Sequence, residues 1–161
     1  MSQIVLVGQV RLGRNLPWEE SAYFCVFNEE LMKYKESHIG NTFSESGLDI
    51  HYDSAEGRYL VTRPDKTVSG MVKLIVFTKD DKLQEASEPT YYRIGWKRKI
   101  LPQSCDYSPS LQCFPARLVD SPLKMVKFGS LGKLPAPREH FEILKYQFPE
   151  SWWKDPKPSH C

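Results

Sequence analysis

The chain has 161 residues, 40% of them apolar and 26% charged, which suits one globular domain with its own core and argues against wholesale disorder. Its net charge of +2 hides an asymmetry: residues 1–92 hold 10 Lys/Arg against 14 Asp/Glu (−4), and residues 93–161 hold 12 against 6 (+6). That split reads as a face for acidic partners, as two ends that attract head to tail, or as charges mixed over one surface.

Twelve prolines and twenty aromatics favour strands and loops over a helical bundle. No apolar run approaches the roughly 18–20 residues that span a bilayer. The opening "MSQIVLVGQVRLGR" alternates and is too short for a secretory signal, Ser2 excludes N-myristoylation, and "PSHC" is no prenylation box. Any membrane contact is therefore expected to be peripheral. Cys25, Cys105, Cys113 and Cys161 fit no zinc spacing and read as reduced thiols of a cytosolic protein, with a Cys105–Cys113 bridge as the alternative.

Along the chain, "QIVLVGQVRL" (3–12) is expected as a strand, central because both parities are apolar. Over 15–36, Asn15 as cap, Pro17, Glu19 and Glu20 in the first turn, and Phe24, Phe27, Leu31 and Tyr34 at helical spacing predict the principal helix, although "AYFCVF" alone also suits a strand. "LDIHY" and "RYLVT" flank "DSAEG" as a hairpin, and "SGMVKLIVFT" (69–78) is the strongest strand pattern, interrupted by Lys73. In "TYYRIGWKRKI" (90–100), Tyr92, Ile94, Trp96 and Ile100 are expected to face the core, with Tyr91, Arg93, Lys97 and Lys99 on a wet side. A short strand is expected between Leu111 and Leu118 and another at "LKMVKF" (123–128), while "REHFEILKYQF" (138–148) suits helix or strand. The expected fold is α+β: a twisted, mainly antiparallel sheet of five to seven strands with one helix across a face. Residues 1–148 form the domain and 149–161 a proline-rich tail.

Signs of catalysis are weak. The four histidines share no metal-ligand spacing, Ser110 and Ser130 lack a nucleophile-elbow context, and no metal or cofactor is expected. In "FGSLGKL" (128–134) the glycines are too close for a Walker A loop and Leu134 stands where the magnesium-binding hydroxyl belongs; a glycine turn is expected. The sharpest feature is the basic strand face of Arg93, Lys97 and Lys99 with Tyr91 beside them, extended by Lys124 and Lys127. It suits a charged edge that blocks sheet aggregation, an anionic membrane, or single-stranded nucleic acid with Tyr91 stacking on bases. Three cations on an anionic leaflet are worth roughly 3 kcal/mol, about a hundredfold, so useful adhesion needs many copies. Trp152 and Trp153, set among Pro149, Pro156 and Pro158, are the candidates for self-association, with docking on their own domain or a membrane interface as the other readings.

Two stretches resemble the matrix proteins of rhabdoviruses. "GQVRLGRNLPWEESAYFCVFNEELMKYKESHIG" (8–40) reads as strand, turn and helix ending at glycine, and "SGMVKLIVFTKDDKLQEASEP" (69–89) sets Gly70, Val72 and Leu74 before Asp80, Asp81 and Pro89. The resemblance implies a non-enzymatic protein that self-associates beneath a viral envelope, in the host cytoplasm, at the inner face of the membrane and in the virion. It would bridge anionic lipid and the nucleocapsid, with no small-molecule substrate. The chain departs from the family in lacking a basic arm before its first strand and a P-P-x-Y motif; "LPAP" (134–137) only distantly echoes the P-[TS]-A-P type. A protein-interaction module remains the third reading.

Overall fold

A computed structural model describes residues 5–6, 21–65, 70–80, 88–94, 113–120, 122–129, 132–139, 141–150 and 152–154. Its organising element is β5 (Met71–Asp80), the longest strand. Val72, Leu74 and Val76 lie on one side of it and Ile75 and Phe77 on the other, and each group enters a different core cluster. A run apolar at both parities is what a strand covered on both faces requires. Lys73 interrupts that run without entering either cluster. Its ammonium donates to the Tyr23 hydroxyl at 3.2 Å and lies over the same ring, so the stem is covered and the charge sits at the edge.

On one edge β5 pairs in parallel with β2 (Ser21–Phe27) through seven consecutive register pairs, Ser21 with Met71 to Phe27 with Phe77. This stretch lies inside the expected 15–36 helix, so over 21–27 that expectation is corrected; residues 15–20 lie outside the described residues. Cys25 and Phe27 bury on one face, Val26 on the other, with Phe24 packed beside it. A helix would bury a single stripe, and "AYFCVF" has two apolar faces, so pairing with β5 overrides the helical spacing. Helix follows instead in two short pieces, α1 (Asn28–Leu31) and α2 (Glu36–Glu45). α1 is tied to β5 by Glu29, whose carboxylate accepts from the Thr78 hydroxyl (2.7 Å) and the Lys79 amide (2.8 Å). Of the strand expected over 3–12 only β1 (Val5–Leu6) is described, and among the described residues it pairs antiparallel with β2 at the end of the strand order; the remaining residues lie outside the described ones.

The expected hairpin is present as β3 (Asp49–Asp53) and β4 (Arg58–Thr62), closed at Gly57 with φ of 58°. The second edge of β5 is shared. β4 pairs with Val72–Ile75, and β6 (Thr90–Arg93) with Phe77–Asp80. The two partners meet at Val76, whose amide donates to the Gly57 carbonyl and whose carbonyl accepts from the Ile94 amide. β7 (Cys113–Pro115) extends the sheet from β6, and all pairs except β2–β5 are antiparallel. The fold is thus α+β with a mainly antiparallel sheet, as expected.

One face of the sheet, where Phe77 of β5 and Phe114 of β7 pack at 4.9 Å between ring centroids, is covered by Leu118 and Val119 with Ile143 of α3 (Glu142–Gln147). Arg117 reaches Glu88 (3.2 Å), Glu139 (2.9 Å) and Glu142 (3.7 Å), tying α3 to the sheet rim. The other face carries α1 and α2, and next to them the separate hairpin of β8 (Lys124–Lys127) and β9 (Lys133–Ala136). Phe24 joins these two neighbours, since it packs both with the helix-side cluster and with Phe128 of the hairpin. Cys25 and Cys113 are free thiols, and burial pushes both thiols up from their ordinary range. Cys105 and Cys161 lie outside the described residues.

Candidate functional site

Over its described part, residues 90–94, the expected basic strand face is not a surface. All four residues of β6 are buried, and both parities contribute to the core. Tyr91 packs its ring 4.5 Å from Phe27 and 5.8 Å from Phe114, in the interior where no base or lipid reaches it. Arg93 is 4% exposed. Its Nε and Nη2 donate to the Glu56 carbonyl at 3.1 and 2.6 Å, and Nη2 pairs with the Glu56 carboxylate at 2.9 Å. A buried charge is tolerated only with such partners. Arg93 therefore clasps the end of β6 to the β3–β4 turn, across the point where two partners of β5 abut. The alternation failed as a guide because β6 is sandwiched: one side meets the Phe27–Phe114 core and the other the Val76–Ile94 cluster. Lys97 and Lys99 lie outside the described residues.

Lys124 and Lys127 are exposed, but their three-residue spacing sets them on opposite faces of β8. The register pairs Lys127 directly with Lys133 and Met125 with Pro135; Val126 pairs with Leu134 and Lys124 with Ala136. One face is thus Lys124, Val126, Phe128, Leu134 and Ala136, with Phe128 and Ala136 buried and Lys124 exposed at its end. The outer face is Met125, Lys127, Lys133 and Pro135, and Met125 is 53% exposed. The hairpin closes through Gly129 (φ 48°) and Gly132 (φ 85°), with the Phe128 amide donating to the Gly132 carbonyl at 2.7 Å. That left-handed backbone is why "FGSLGKL" needs its glycines, as the turn reading expects. Among the described residues no carboxylate pairs with Lys124, Lys127 or Lys133. Like charges directly opposite on neighbouring strands repel, so an anion on this face relieves a cost already present.

Sequence reasoning misses Lys133, which the glycine-turn reading of 128–134 leaves in the turn. The signal was available: in a turn closed by Gly129 and Gly132, the next residue opposes Lys127. At the other end of the chain the tryptophans divide. Trp152 is half-buried, its amide donating to the Phe148 carbonyl and its ring under the Lys145 ammonium at 5.0 Å. Trp153 stands edge-on to Trp152 and is 55% exposed.

Among the described residues no three His, Cys, Asp or Glu side chains converge as a metal site requires, and no helix is long and apolar enough to cross a membrane. No protein-family model matches the chain, and no curated protein matches it.

Proposed function

We propose that this chain is a non-enzymatic, self-associating scaffold of the viral-matrix kind, which holds to an anionic membrane surface through the outer face of the β8–β9 hairpin and bridges that surface to a nucleocapsid. The observation that carries the membrane contact is the cross-strand pair Lys127 and Lys133 with exposed Met125 on the same face. Phosphate headgroups take the lysines, and a flexible thioether beside them enters the apolar layer beneath. A nucleic-acid reader needs a ring on which bases stack, and the four residues of this face include none. Two lysines contribute about 2 kcal/mol, roughly thirtyfold in affinity, too little to hold one copy. Adhesion therefore comes from number, and exposed Trp153 with Phe141, 51% exposed, offers apolar surface for copies to meet.

Sedimentation with phosphatidylserine vesicles, against single-stranded RNA at matched salt, tests the reading. The chain is expected to prefer the vesicles, and Lys127→Gln with Lys133→Gln to weaken binding by at least about thirtyfold, since the loss per copy multiplies across an assembly. Equal binding by that double variant, or a preference for RNA, overturns it. Light scattering over a concentration series tests assembly, and a strict monomer at the highest concentration removes the scaffold.

A further inference from the structure

We propose that the space between α1–α2 and the sheet is a binding site for an uncharged single-chain amphiphile, with an apolar body of about ten carbons and a hydroxyl head. The floor is sheet: Val26 of β2, Leu74 of β5 and Tyr59 of β4. Leu31, Ile39 and Phe43 form the roof. Leu31 and Phe43 touch the sheet-side cluster but stay only partly buried, and between the helices and the sheet lies a cavity of about 250 Å³. An apolar cavity of ~150 Å³ accepts benzene, so by proportion this one holds about ten carbons.

The rim determines the head. Its polar residues are Glu30, Tyr34, His38 and Thr42. The Glu30 carboxylate is already matched by the Lys33 ammonium one turn later. The Tyr34 and His38 rings stack with centroids 6.0 Å apart and form a flat lip. The Thr42 hydroxyl donates to the His38 carbonyl, which leaves its oxygen able to accept from a ligand. Because Glu30 and Lys33 already satisfy each other, a carboxylate head would have to displace Glu30 from that pair and an ammonium to displace Lys33. A hydroxyl needs neither, and it finds acceptors on this rim. The site shares no residue with the hairpin's outer face, so either reading stands or falls without the other.

The test is calorimetric titration of the full chain with 1-alkanols from six to twelve carbons, with amide shifts recorded alongside. Affinity is expected to rise about fourfold per methylene, the equivalent of ~0.8 kcal/mol, and to stop rising near ten carbons when the volume is full. Decanoate and decylamine are expected to bind at least about tenfold more weakly than 1-decanol, and Thr42→Trp, which fills the mouth from a half-buried position, to lower 1-decanol affinity by a similar factor. A rise that continues unbroken to dodecanol, or 1-decanol binding unchanged in Thr42→Trp, overturns the site. Decanoate binding as well as 1-decanol overturns the uncharged head. Should Thr42→Trp fail to fold, the unsubstituted chain decides: shifts at Thr42, Tyr59 and Leu74 on adding 1-decanol support the site, and shifts elsewhere refute it.

Discussion

Arg93→Met separates a structural clasp from a surface contact. Methionine keeps most of the apolar stem and removes the donors that reach the Glu56 carbonyl at 3.1 and 2.6 Å. A net hydrogen bond from a charged group is worth about 1.5–3 kcal/mol, and two donors sharing one acceptor do not add in full, so ~2–4 kcal/mol is expected. The ion pair adds little, because the Glu56 carboxylate is 42% exposed and water screens it. In a chain of this size each kcal/mol moves Tm by about 2–4 °C, which makes the expected fall roughly 10 °C. Thermal unfolding followed by circular dichroism reads it directly. Glu56→Gln, which spares the carbonyl, should cost under about 1 kcal/mol. A shift below about 2 °C for Arg93→Met would refute the clasp, and a loss as large for Glu56→Gln would move its weight to the carboxylate. Vesicle binding by folded Arg93→Met should be unchanged, since the guanidinium is interior.

Phe114→Ala, at a fully buried ring packed on Phe77 and Tyr91, should lose about 3–5 kcal/mol in denaturant melts. Arg117→Gln should loosen α3 at low salt, and the difference from the unsubstituted chain should vanish near 1 M salt, because its three partners are exposed or half-exposed. Burial raises the Cys25 thiol above its ordinary 9.0, so above that pH the unfolded chain releases a proton that the folded chain keeps. This contribution is intact below pH 9.0 and declines as the pH rises beyond it; Cys25→Ala should flatten that decline in melts between pH 8 and about 10.5. A thiol reagent should label Cys113 before Cys25, which reacts only on unfolding; equal rates would place Cys25 at the surface. Trp153→Ala should reduce light scattering by assemblies while leaving Tm unchanged; a large fall in Tm would show that the ring is docked on its own domain.

Local pattern was enough wherever one segment carried the whole signal. "DSAEG" between two alternating runs specifies the β3–β4 hairpin, "KLIVF" specifies a strand covered on both faces, and two glycines around Ser130 and Leu131 specify the turn that closes β8–β9. Composition alone points to an α+β chain rich in strands. Residues 21–27 and 90–93 were different, because their burial depends on what lies above and below them. The same seven letters that fit a helical stripe become a parallel strand once β5 offers seven partners. The charge of Arg93 turns inward because the β3–β4 turn presents Glu56 at the gap between β4 and β6. Lys127 and Lys133 become one site only when the hairpin closes and sets them opposite each other. Periodicity along a chain tells how many faces a segment has; which face meets water is a property of its neighbours, and those are brought together only by folding.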